Sequence, residues 1–127
     1  MLPVVGPCPF CSIPANRVWI ESEHAIAFAA DAPAAEGHIV IVPTEHVPSI
    51  HALPIAAQKD VWALVSEVRG RLRTGLVPDQ GFAVGFVDGL EAAPAPHAAI
   101  HIIPRRAGDQ IALPECSKWI SDDGLLA

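Results

Sequence analysis

Between Pro54 and Thr74 the apolar residues change period, and that change does most to restrict the folds open to this chain. Val61, Val65, Val68 and Leu72 fall at i, i+4, i+7 and i+11, with Trp62 and Leu64 flanking the stripe. Glu67, Arg69, Arg71 and Arg73 lie mostly away from it. Pro54 suits the first turn of a helix and Gly75 its C-terminal cap. Such a stripe packs one long helix onto a sheet. On either side of it the pattern is that of strands, at 17–20, 24–29, 38–42, 81–87 and 97–103. The run HIVIV at 38–42 is rich in β-branched residues and is closed by Pro43, so both faces of that strand are expected to be buried or nearly so. The order strands, helix, strands predicts an α+β fold with a mainly antiparallel sheet.

The length of 127 residues suits one domain spanning 1–127, large enough to bury a core without disulfides. Half of the residues are apolar, 17% are charged and the formal net charge is −6. The one basic run is Arg105-Arg106, which argues against a surface that tracks a nucleic-acid polymer, while a small phosphorylated ligand fits a locally positive pocket. The start, MLPVVGPCPFC, reads as no signal peptide, and no apolar run approaches a membrane span. The three cysteines, Cys8, Cys11 and Cys116, are an odd count without a secretion signal. They point to a reducing compartment, and a cytoplasmic location is expected.

The stretch PHAAIHIIPRR, 96–106, carries His97 and His101 four residues apart. In a strand, His97, Ala99, His101 and Ile103 share one face, while Ala98, Ile100 and Ile102 point into the core. Two histidines so spaced stand about 13 Å apart, too far to hold one metal ion readily from a regular strand. Each therefore has its own role. Taken alone, they also fit two half-exposed polar residues on a sheet face.

With its context, H-x-x-x-H-x-x-P-R resembles the signature of the histidine triad (HIT) superfamily. The family pattern has three histidines alternating with apolar residues, then Pro-Arg. His97 matches the first and His101 the third, and Ala99 stands where the second belongs. CPFC near the start, GHIVIVPTEHV at 37–47, the long helix and the GFAVGFVDG segment follow in the family's order. The resemblance implies a HIT-like fold with a five-stranded sheet, a homodimer, and nucleotidyl chemistry. The middle histidine would attack the α-phosphorus of an adenylated compound, a nucleotidyl-histidine would form, and water would release AMP. A nucleoside phosphoramidate or a dinucleoside polyphosphate is the implied substrate class. Catalytic roles fall to position 99, His101 and His97, and nucleotide contacts to Phe28, Asp31, Asp88, Gly89 and His101. Alanine at 99 has no nucleophile, so this chain is expected to bind without turnover. Ala99 is read as a His→Ala change made to trap substrate. The alternatives are a naturally silent nucleotide sensor and a zinc-stabilised interaction module.

Cys8-Pro-Phe-Cys11 puts two thiols at chelating distance, and tetrahedral zinc needs two further ligands. A reduced, empty pair and a redox dithiol are the other readings. In the C-x-x-C subset that this chain resembles, the remaining ligands are a histidine of the P-x-x-H segment and the first triad histidine. Those are His46 and His97, with His51 the alternative to His46. A structural zinc would then tie the segment 1–16 to the histidine strand.

The chain departs from the family pattern in several places. Asp31, the candidate ribose acceptor, lies one residue out of register, with Ala30 in its slot. Val87 stands near the usual Asn, and Ala93 and Pro94 replace the usual Gln and Ser/Thr. Either backbone N–H groups around Asp88 and Gly89 substitute for those phosphate contacts, or the substrate is not the usual one. Residues 107–127 read as an irregular tail with an anchor at Trp119-Ile120, in which Cys116 and Lys118 are surface or packing residues before they are pocket residues. His24 and His38 are taken as structural.

Overall fold

Strand β3 (Ile39–Pro43) is buried along its whole length, which requires cover on both faces. In the computed structural model, which describes residues 8–78, 80–86, 88–89 and 97–107, that cover comes from a helix on one side and the N-terminal segment on the other. The remaining elements are β1 (Val18–Glu21), β2 (Ala25–Ala29), α1 (Ile55–Leu76), β4 (Phe82–Phe86) and β5 (Ile100–Pro104). Short 3-10 turns lie at Ala15–Arg17 and Ile50–Ala52. The five strands form one antiparallel sheet in the order β1-β2-β3-β5-β4. The expected α+β class is present, with one long helix among the described residues.

Period-2 alternation sorts the sheet into two faces. Ala25, Ala27, Ile39, Ile41, Ile100 and Ile102 meet Ala57, Val61, Leu64, Val65, Val68 and Leu72 of α1. Each fully buried Ile or Val contributes about 1.5–3 kcal/mol. Phe28, Val40 and Val42 form a second cluster on the opposite face, with Phe10, Ile13, Ile26, Ala30 and Ala99 packed against it. The helix stripe read from the sequence is the buried one. Trp62 departs from it: the indole is 39% exposed and packs edge-on against Phe86 of the outer strand.

Several boundaries differ from the sequence reading. Pro54 is the N-cap, and helix begins at Ile55. Gly75 does not end the helix, which runs to Leu76 and turns at Val77, a left-handed residue at φ 49°. The Leu76 carbonyl accepts a hydrogen bond from Arg106 Nη2 at 2.9 Å, and Leu76 packs on the core, so tertiary contacts carry the helix past the glycine. The hydrogen-bonded part of the histidine strand begins at Ile100, not His97. Just before it, the Ala98 N–H donates to the Val47 carbonyl at 2.7 Å instead of to the ladder. The strand read at 81–87 runs from Phe82 to Phe86, and Val87 lies outside the described residues. Also outside them are Ala93, Pro94 and the tail with Cys116, Lys118, Trp119 and Ile120.

Gly37 enters β3 with φ 87°, and a Cβ there would run into the Leu76 side chain and come within 3.1 Å of Pro104 Cγ. Gly37→Ala is expected to destabilise the fold by about 1–3 kcal/mol, read as a lower urea midpoint at unchanged m-value.

Candidate active site and metal centre

Strand β5 carries the site, and its parity is as expected. Ala98, Ile100 and Ile102 are buried at 4%, 0% and 0% in the helix-side core. His97, Ala99 and His101 are half-buried, and Ala99 packs against the opposite cluster. Ile103 is also buried, so the open part of that face ends at His101. His101 is registered with Val40 of β3, and Val40 with Phe28 of β2. A buried apolar cluster two strands wide therefore adjoins the histidine.

His38, taken as structural from sequence, is part of this arrangement. Its Nε2 lies 2.9 Å from His101 Nδ1, and its Nδ1 accepts the Ala34 N–H at 3.0 Å. A ring nitrogen that accepts carries no proton, so neutral His38 holds its hydrogen on Nε2 and donates to His101 Nδ1. His101 then keeps its own hydrogen on Nε2. Strand parity contained the signal, because residues 38, 40 and 42 share a face. What it lacked was the neighbour, since nothing local says that β3 lies beside β5. Burial holds both rings below the ordinary histidine value of 6.5, and for His38 the adjacent His101 adds to the depression.

The second grouping is Cys8, Cys11, His46 and His97, whose donor atoms all lie within 4.8 Å of one another. Cys11 Sγ is 3.0 Å from His46 Nδ1 and 3.6 Å from His97 Nδ1, and Cys8 Sγ is 3.5 Å from His97 Nδ1. Zn–S and Zn–N bonds of about 2.3 and 2.0 Å put tetrahedral donors about 3.3–3.8 Å apart, so the donor set suits that ion. His97 Nε2–H donates to the Pro43 carbonyl at 2.8 Å, which leaves Nδ1 unprotonated and aimed at the sulfurs. His51 is outside the cluster. Phe10, between the two cysteines, packs against both His97 and Phe28, with ring centroids 5.9 and 5.7 Å away.

The other expected nucleotide contacts fare differently. Phe28 is 2% exposed beneath Phe10 and the Arg17 guanidinium, so it supports the surface more than it forms it. Asp31 is exposed and paired with Arg17 at 2.7 Å. Asp88 is exposed, and the Gly89 N–H already donates to the Pro48 carbonyl at 3.1 Å. A cleft of about 430 Å³ lined by Ile13, Ala15, Val18, Trp19, Glu21 and Ile26 adjoins the apolar cluster through Ile13 and Ile26.

A family model, the HIT domain, matches residues 12–108. The chain belongs to the HIT domain family. It is 32% identical over 100 residues to the nitrilase and fragile histidine triad fusion protein NitFhit of Caenorhabditis elegans, covering 77% of this chain and 22% of that protein. It is 26% identical over 95 residues to a bis(5'-nucleosyl)-tetraphosphatase of Schizosaccharomyces pombe, covering 74% of this chain and 52% of that protein. The chain thus spans about a fifth and about half of these relatives' lengths. A zinc-bound histidine triad family protein from Mycobacterium smegmatis superposes with a TM-score of 0.68 at 28% identity, covering 84% and 80% of the two chains. Among the described residues, no helix is long and apolar enough to cross a membrane.

The pair His38–His101 makes a pH prediction. Unfolded histidines take up protons near 6.5, whereas these folded rings resist until lower pH. Their stabilisation is full above the unfolded value and is lost as pH falls through the folded values. The melting temperature should fall between pH 7.5 and 5, and a His38→Asn/His101→Asn double variant should show a shallower fall in a thermal-shift series.

Proposed function

We propose that this HIT domain protein binds an adenine nucleotide at the His101 face and, with alanine at position 99, does not turn it over. The carrying observation is that His97, Ala99 and His101 share one half-open face while the residues between them fill the core. His101 offers Nε2–H to a phosphate oxygen, a role set by the proton on His38 Nε2. The partly buried apolar side chains of Phe10, Ile13, Ile26 and Ala99 suit a nucleoside. The tetraphosphatase relative supports the substrate class. The parent reaction would be hydrolysis at the α-phosphate of a phosphoramidate or a dinucleoside polyphosphate. A histidine at 99 would attack phosphorus and expel the leaving group, and water would then release AMP.

Zinc at Cys8, Cys11, His46 and His97 belongs to the same reading, supported by the donor geometry and by the zinc-bound relative. The ion would act structurally, cross-linking the N-terminal segment to the entry of β5. A homodimer is proposed as well. Among the described residues β4 is an outer strand of the sheet, with Val84 46% exposed and Phe86 packed against the partly exposed Trp62. A second reading, a naturally silent sensor, draws on the packing of the Ala99 methyl against the Phe28–Val40–Val42 cluster. The coding sequence of the source separates the two: a histidine codon at 99 marks a trap variant.

Ala99→His, incubated with adenosine phosphoramidate, should yield a nucleotidyl-histidine by mass spectrometry and free AMP, and the unmodified chain should yield neither. Absence of both products from the folded variant defeats the enzymatic reading. Metal analysis should find one zinc per chain, lost in Cys8→Ser and kept in His51→Ala.

A further inference from the structure

We propose that Glu21, in the cleft beside β1, is a specificity-determining residue that accepts a hydrogen from the exocyclic amino group of the nucleobase, an inference that deepens the nucleotide reading above and rests on it. A bulge builds the cleft. Val18 is registered with Phe28, but Ile20 is registered with Ala27 and Glu21 with Ile26, so Trp19 is an extra residue in β1. Regular alternation would put Val18 and Ile20 on one face and turn Glu21 to the other. The extra residue reverses that parity. Ile20 packs against the helix-side core, whereas Val18 and Glu21 both face the side of Phe28 and Ile26. The bulge thereby brings a carboxylate to the side of the sheet that carries His101.

The lining suits a flat ring with N–H donors at its edge. Ile13, Val18 and Ile26 supply apolar walls, and Trp19 offers an indole left 42% exposed. Glu21 is the one charged side chain among the lining residues of this cleft of about 430 Å³. An ionised carboxylate only accepts hydrogen bonds, so it favours a ring edge that carries an amino group over one that carries none. The position fits as well. Val18, Phe28, Val40 and His101 are successive partners across four strands, which puts the cleft three strand spacings from His101, about 14 Å. Side chains reaching inward from both ends bring that span to the length of a nucleoside monophosphate. Phe28 and Val40, in between, are 2% and 3% exposed, so the sugar crosses over Phe10 and Ile13, which pack on them. Ile13 serves both parts, since it covers the buried cluster and lines the cleft. With the phosphate at His101, the base edge farthest from the sugar arrives at Glu21, and in adenine that edge carries the 6-amino group.

Calorimetric titration with AMP and with purine riboside 5'-monophosphate, which lacks only the amino group, tests the assignment. The unmodified chain should bind AMP about tenfold tighter, the low end for a bond to a charged acceptor because Glu21 is exposed. In Glu21→Ala the ratio should fall to about 1–2, and Glu21→Gln, which keeps an acceptor oxygen, should give an intermediate ratio. AMP should also quench the emission of Trp19, and the quench should vanish in Trp19→Phe. A ratio that survives Glu21→Ala overturns the assignment, as does an equal loss for both ligands, which is what a merely structural glutamate produces. A quench unchanged in Trp19→Phe overturns the placement of the base. Equal affinities in the unmodified chain overturn the proposal while leaving nucleotide binding intact, whereas no binding of either ligand defeats the nucleotide reading and the proposal with it.

Discussion

The burial of Ile100 and Ile102 under α1 is the constraint on which the site depends. Both are fully excluded from solvent, and truncating such a residue costs about 2–5 kcal/mol. Rotating or slipping β5 by one residue would exchange those two isoleucines for His101 and its neighbours. The histidine face is therefore fixed by core energetics on the other side of the sheet. Ala99, the residue just before β5, packs against the opposite cluster of Phe28, Val40 and Val42.

Two histidines of that face are held by backbone groups, each in a definite tautomer. The Pro43 carbonyl accepts from His97 Nε2 and directs Nδ1 at the cysteines. The Ala34 N–H donates to His38 and, through it, sets the proton on His101. Both are second contacts behind the working nitrogen. His97, just before β5, thereby turns an unprotonated nitrogen to the two sulfurs, and His101, within it, keeps a hydrogen on Nε2. The Cys8–Cys11–His46–His97 grouping and the His38–His101 pair therefore share no ring.

The N-terminal segment joins these two ends. The family match begins at residue 12, so Cys8 and Cys11 precede it, whereas His46 and His97 lie within it. Phe10, carried between the cysteines, touches His97 and Phe28 together. The loop that would wrap the ion therefore also covers the apolar surface. The Arg17 guanidinium lies over the same Phe28 ring, 5.2 Å from its centroid.

Much of the fold was legible in the sequence because it rests on periodicity. The stripe Val61, Val65, Val68 and Leu72 named the buried helix face, the β-branched run named the doubly covered strand, and alternation named the face shared by 97, 99 and 101. The Cys8, Cys11, His46 and His97 grouping was legible only through likeness to a family pattern, since spacing along the chain left His51 open. Tertiary structure alone decided that His38 adjoins His101, that Gly89 is engaged by Pro48, that the helix passes Gly75, and that Arg17 holds Asp31. Each of those depends on which segments become neighbours across the sheet. Local sequence determines which way a side chain points, through backbone geometry, but a partner 60 residues or more away, like His101 for His38, is set only when the strands pair.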